Sequence, residues 1–243
     1  MKERVGNLVG PVAQKMWVST FHSACVRILR RDVERLGFPG RFSIYDQADA
    51  VRLTGYVIRD LNLDPKRFPP RSVHATSAMA KNENVGPEEY AAEAQQIFQR
   101  KLSDVYFEYQ KRLLTAGAMD FDDLLMRTSQ LFREHPDVLA GWRQRFGHVL
   151  VDEYQDTNPV QNDLVLQLAE EHRQITVVGD SDQSVYKFRG ADIRNILEFE
   201  EAFPDTTVIV LEQNYRSTQA ILDAANAVIS KNSARKPKEL WTD

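Results

Sequence analysis

Cysteine is nearly missing from this sequence. Cys25 alone among 243 residues excludes an internal disulfide framework and any cysteine-built zinc site, and it fits a reducing compartment. No apolar run approaches the ~20 residues of a membrane-spanning helix. The opening MKERVGNLVGP has no apolar stretch of the kind a secretory signal carries. There is no internal repeat, and 11 Gly and 10 Pro are ordinary usage, so fibrous and low-complexity readings fall away. What is present, 42% hydrophobic and 27% charged residues, is enough to bury a core at this length. A soluble, cytoplasmic protein is the expectation.

Charge is spread unevenly. The net charge is −4, yet residues 1–41 hold eight Lys/Arg against three Asp/Glu, a balance of +5 that leaves −9 for the rest. A basic face on an acidic chain suits a phosphate-backbone partner, and a solvated helix face fits equally well.

Four short runs read as strands: KMWVSTF (15–21), HVLVDE (148–153), ITVVGD (175–180) and TTVIVLEQN (206–214). Each is continuous rather than alternating, the pattern of strands buried on both faces. Between the last three lie segments 159–173 and 192–203, whose apolar residues recur at three and four. Strand, helix, strand, helix, strand implies a parallel sheet with crossover helices. From about 45 to 118 the sequence offers only helical stretches, such as 47–61 and 89–117, separated by DPKRFPPR (64–71). An all-helical block inside an α/β frame suggests a subdomain grown from a loop on the functional rim. The first five residues read as the tail of a helix, and KNSARKPKELWTD closes no element, so both ends are expected to be cut.

The strongest chemical signal is the strand His148–Val151 delivering Asp152 and Glu153 at its carboxyl end, where open parallel sheets bind ligands. In P-loop nucleoside-triphosphatases such an Asp holds Mg²⁺ and a following Glu can take a proton from the attacking water; a plain strand running into a polar turn fits the hexapeptide as well. One crossover later, VVGDSDQSVYKFRGAD (177–192) places Gln183 beside that pair, where it can sense a γ-phosphate or orient a water. Tyr186 and Phe188 alternate with Lys187 and Arg189, which suits base stacking with cations on phosphates, or else a short strand with core aromatics. In LEQNYRST (211–218), Tyr215 could stack on a purine and Arg216 could offset transition-state charge, or simply form a surface ion pair. In STFHSACVRILRR (19–31), hydroxyls at a helix start suit a backbone phosphate; helix capping by Ser19 or Thr20 explains them equally.

DEYQDTN, GDSDQSVYKFRGAD, LEQNYRST, TFHS and AMDFDDLL together resemble the UvrD/PcrA-type superfamily 1 DNA helicases, over essentially the whole chain. The resemblance implies an α/β, RecA-like parallel sheet of the P-loop NTPase type with an inserted all-helical subdomain. Residues 1–41 and 119–212 would form domain 1A, 42–118 subdomain 1B, and 213–243 the start of domain 2A. It implies an ATP- and Mg²⁺-dependent motor moving 3′ to 5′ on single-stranded DNA and unwinding duplex in repair or replication, with other proteins of those processes as partners. Asp152 would ligate Mg²⁺, Glu153 would be the general base, and Gln183 would contact the γ-phosphate and link it to DNA. Tyr215 would pack on adenine and Arg216 would act as an arginine finger. Thr20, Phe21, His22, Tyr186, Phe188 and Arg189 would meet DNA.

The sequence departs from the family in three ways. Phe188 stands where Trp is frequent, and Ser181 where Ala is frequent. The third is larger: no Gly is followed by Lys, so the phosphate-wrapping G-x-x-x-x-G-K-[ST] loop is not in this sequence. In the family that loop precedes Met1 and motifs V and VI follow Asp243, so this segment alone is expected to turn over little or no ATP. Two other functions compete. Asp152, Glu153, Asp156, Asp180 and Asp182 could hold two cations in a metal-dependent nuclease, or the chain could be a non-catalytic single-stranded DNA-binding module.

Overall fold

The structure, a computed structural model, describes residues 1–232 and 238–243, with the backbone but not the side chain of Arg189. Helix dominates. In chain order the elements are α1 (Lys2–Val9), α2 (Phe21–Asp32), β1 (Ser43–Ile44), α3 (Gln47–Asp60), α4 (Pro70–Asn82), α5 (Pro87–Glu93), α6 (Ile97–Thr115) and β2 (Ala118–Met119). They continue with α7 (Phe121–Glu134), α8 (Pro136–Arg145), β3 (Val149–Val151), α9 (Pro159–Ala169), β4 (Ile175–Val177), α10 (Arg194–Leu197), α11 (Phe199–Ala202) and α12 (Gln219–Ile229). The strands form two parallel pairs, β1 with β2 and β3 with β4. No helix among the described residues is long and apolar enough to cross a membrane.

Local chemistry explains the helix starts. Thr20, Asp46, Asp120 and Asn158 each accept a hydrogen bond from the backbone N–H three residues on, satisfying a donor that the first helical turn leaves open. At Asp120 and Asn158 the third residue answers with its own side chain, closing a reciprocal cap.

Three apolar clusters hold the chain. One joins α2, α7, α8 and α9 through Leu29, Val33, Leu125, Phe132, Trp142 and Val160. A second lies within α3, α4 and α6, through Val57, Ile58, Val73, Val105, Tyr109 and Leu113. The two-residue ladder β1–β2, Ser43 opposite Ala118 and Ile44 opposite Met119, pairs the chain where it enters and leaves these helices. The third packs Val151, Tyr154, Val165, Phe199 and Phe203 beneath β3 and β4.

Several expectations need correction. Residues 15–20 form no strand; Phe21 already opens α2. Trp17 instead packs edge-on against Trp142 and Phe146, at 5.4 and 5.0 Å, and Arg27 and Arg145 lie over its ring. The apolar run that reads as a strand is used in lateral packing. Residues 206–214 are likewise not a strand: Val208–Leu211 are exposed, and the described residues give this segment only an isolated bridge, Gln213 to Trp241. An extended run without a neighbour has no ladder to join. Nor are β3 and β4 buried on both faces, since Leu150 is 65% exposed.

The expected helix over 89–117 breaks at Ala94, whose ψ of 96° leaves the helical region. The one over 192–203 is two single turns, α10 and α11. The segment 159–173 is helical only to Ala169, with Arg173 at a positive φ of 54°.

Candidate nucleotide and nucleic-acid site

Parallel pairing of β3 with β4 puts their carboxyl ends side by side, with Val151 opposite Val177. The ladder extends one step past the strands: Val178 N–H donates to Val151 O at 2.8 Å and Tyr154 N–H to Val178 O at 3.0 Å. The turn carrying Asp152 and Glu153 therefore lies against the turn carrying Gly179 and Asp180. Both carboxylates are solvent-exposed, and Glu153 N–H donates to Asp152 Oδ1 at 3.1 Å. Glu153 holds φ 53° and ψ 45°, a left-handed conformation that costs a non-glycine residue about 1–2 kcal/mol. Such strain concentrates at functional sites.

The two turns are stitched by a residue to which the sequence assigned no role. Gln155, 1% exposed, donates from Nε2 to Glu153 Oε2 at 2.8 Å. Its Oε1 accepts from Asp180 N–H at 2.9 Å. Asp180 in turn holds Gln183, through Gln183 Nε2 to Asp180 Oδ2 at 2.8 Å and Gln183 N–H to Asp180 O at 2.9 Å. Burial opposes ionisation of Asp180, but Lys238, the Asp182 N–H and Gln183 outweigh it and hold its pKa below the usual carboxylate value. Asp156, partly buried and near Glu153, is pushed up instead.

Beyond Gln183 the chain presents Tyr186 and Phe188, 40% and 78% exposed, with ring centroids 6.0 Å apart. The loop ends at Gly190 (φ 86°), which rests on Asn82 and Asn158. Asn158 Nδ2 donates to Asn82 Oδ1 at 2.6 Å, and Asn82 Nδ2 to Asp122 Oδ1 at 3.2 Å. The end of α4 thus touches both the segment after Glu153 and the aromatic loop.

At the start of α2, Thr20 Oγ1 accepts from Ser23 N–H at 3.4 Å, so Thr20 does serve as a cap. Phe21 is half-buried against two of the apolar clusters and is partly a packing residue. His22 lies 5.8 Å from the ring of Phe121, itself 53% exposed. Burial holds the His22 pKa below its ordinary value, which makes it a neutral ring suited to stacking at physiological pH.

Tyr215 and Arg216 stand apart. Tyr215 is 83% exposed and donates to Gln213 at 2.8 Å. Arg216 is exposed, with its N–H on Asn214 Oδ1 at 2.8 Å, and no hydrogen bond or ion pair among the described residues joins it to Glu153. The side chain of Arg189 lies outside the described residues.

No group of three His, Cys, Asp or Glu among the described residues comes together to hold a metal ion. The five carboxylates that a nuclease would need do not converge among the described residues, and Lys238 pairs with Asp180 and with Asp182, the latter at 3.6 Å. Asp152 remains: an exposed carboxylate at a strand's carboxyl end suits a hard cation that prefers oxygen ligands.

Asp122 gives a testable pH dependence. Burial first, and the negative charge of Asp120 second, raise its pKa to about 6. It binds a proton more readily folded than unfolded, so the stability it contributes is complete below about pH 4 and is lost as pH rises through about 6. Asp122→Asn removes that loss. Relative to the native chain it is expected to gain on the order of 2 kcal/mol between about pH 4 and pH 7, read by urea unfolding at the two pH values. A constant difference would show that Asp122 titrates normally.

The UvrD/REP helicase N-terminal domain family model matches residues 1–204, and the chain belongs to that family. Over its whole length it is 54% identical to the ATP-dependent DNA helicase PcrA of Bacillus subtilis, covering 33% of that protein. It is 50% identical to the PcrA of Staphylococcus epidermidis and 48% to that of Leuconostoc citreum, again over all of this chain and 33% of each relative. The chain therefore spans about a third of the length of the curated relatives it matches.

Proposed function

We propose that the protein carrying this chain is an ATP-dependent DNA helicase that moves 3′ to 5′ on single-stranded DNA, and that the chain supplies the hydrolytic carboxylates and one base-stacking surface. The observation behind this is the continuous path from Glu153 through Gln155, Asp180 and Gln183 to the exposed rings of Tyr186 and Phe188. A nucleotide site and a nucleic-acid surface share one strand-end loop.

In this reading ATP, with Mg²⁺, supplies the phosphoryl bond whose hydrolysis drives movement. Asp152 helps hold the cation, Glu153 accepts a proton from the attacking water, and Gln183 contacts the γ-phosphate. Tyr215 stacks on the adenine and Arg216 offsets charge on the transferring group, both after domain closure, since they stand apart here. Thr20, Phe21, His22, Tyr186, Phe188 and Arg189 meet the strand. Residues 1–41 and 119–212 would be a RecA-like domain 1A, 42–118 subdomain 1B and 213–243 the start of domain 2A. Duplex DNA, and proteins of repair or replication, are the partners this role calls for.

Stacking is worth ~1–3 kcal/mol per base, enough to hold a strand and little enough to release it at each step. In the full-length protein, Phe188→Ala is expected to weaken single-stranded DNA binding by about 5- to 100-fold, with the KM for ATP little changed. ATPase assays titrated with DNA read both. Unchanged DNA stimulation would remove the stacking role. Mg²⁺-dependent cutting without ATP would favour a nuclease, and salt-sensitive DNA binding indifferent to nucleotide a binding module.

A further inference from the structure

Gln155 occupies a position that ordinary packing does not explain. It is buried to 1% exposure, yet both ends of its amide are spent on the two turns of the site rather than on the core. Nε2 holds one oxygen of Glu153 and Oε1 holds the backbone N–H of Asp180. Its own carbonyl accepts from Ser184 Oγ at 3.4 Å, one residue past Gln183. The fit leaves no slack: a Cβ at Gly179 would fall 2.6 Å from Oε1 and 2.8 Å from Ile196 Cδ1.

We propose that Gln155 is a positioning residue that couples DNA occupancy of the aromatic loop to the orientation of Glu153. The proposal rests on the roles given above to Glu153 and Gln183. The amide is a rigid plane, so its two ends cannot move independently. A shift of the Asp180–Gln183 turn, when bases stack on Tyr186 and Phe188, rotates the amide and re-aims the Glu153 oxygen that Nε2 holds. Gln155 touches neither water nor nucleotide in this scheme; it acts through Glu153.

Two variants in the full-length protein separate the halves of the amide. Gln155→Glu keeps an acceptor for the Asp180 N–H and loses the donor to Glu153. Gln155→Met keeps the length and loses both. Gln155→Glu is expected to lower basal and DNA-stimulated ATP turnover together, about tenfold or more, with the ratio between them retained. Gln155→Met is expected to lower that ratio as well, by about tenfold, while the KM for ATP and single-stranded DNA affinity stay within about twofold of the unmodified protein.

Native turnover and ratio in both variants would overturn the proposal. So would a joint loss of turnover, DNA affinity and thermal midpoint, as a purely structural stitch would give. Glu153→Gln is the control: if it leaves DNA-stimulated turnover intact, the reading of the site fails and takes the proposal with it. If it abolishes turnover while the Gln155 variants behave as the native protein, the proposal fails alone.

Discussion

Lys81→Ala is expected to destabilise the chain by about 3–5 kcal/mol, the cost of breaking a buried ion pair by removing one partner. Lys81, on α4, is fully buried, with Nζ 2.6 Å from Asp120 Oδ2 and 3.0 Å from Asp123 Oδ1. Tyr109 donates to Asp120 at 2.8 Å and Gln110 to Asp123 at 2.8 Å. Burial works against the ammonium, but the two carboxylates outweigh it and raise its pKa. Without Lys81, two adjacent carboxylates stay in an apolar setting with only neutral donors, and at least one must take up a proton. The sign of the pH dependence follows. In the variant these carboxyls titrate above their unfolded values, so their contribution is intact at low pH and is lost as pH rises. The stability gap to the native chain should widen from about pH 5 to pH 7. Lys81→Met, which leaves less of a cavity, isolates the charge effect from the packing effect. Denaturant unfolding reads all of this, and a Lys81→Met chain within about 1 kcal/mol of native at neutral pH would show that the triad adds little.

Nothing in the sequence marks that lysine. A buried Lys becomes visible only when Asp120 and Asp123, at the start of α7, come to it from some forty residues away. The same holds for Asn82, whose bonds to Asp122 and Asn158 are equally remote. Local signals fared better. The helical reading of 47–61 matches α3, and the hydroxyls at 19–23 marked the start of α2. The two failed strands, 15–21 and 206–214, part ways: Trp17 packs laterally on Trp142, whereas Val208–Leu211 stay exposed with no strand beside them among the described residues, and a ladder needs a neighbour. Tyr186 and Phe188 illustrate a different limit. Alternation with cations fits both a core strand and a stacking surface, and exposure rules out the core strand, with Phe188 78% exposed. Gln155 was within reach, since it sits inside DEYQDTN between residues with assigned roles. Its burial and its two hydrogen bonds come from the parallel register of β3 and β4, which single-sequence patterning does not give.

Glu153→Gln is expected to lower ATP turnover in the full-length protein by about 10²- to 10⁴-fold, the range a positioned general base contributes. The substitution keeps the side chain's shape and an oxygen that can still accept from Gln155 Nε2, and it removes only the ability to take a proton. Glu153 is exposed at the tip of its turn and contributes nothing to the apolar cluster below it, so folding should be unaffected. KM for ATP and single-stranded DNA affinity should stay within a few-fold, which separates loss of the chemical step from loss of binding. Because this sequence has no G-K pair for a phosphate-wrapping loop, the chain by itself should hydrolyse essentially no ATP. Turnover by the isolated chain that disappears in Glu153→Gln would mean that these 243 residues cradle the phosphates by another route. Unchanged turnover in the full-length variant would instead move the base away from Glu153, and the left-handed strain at that residue would need a different explanation.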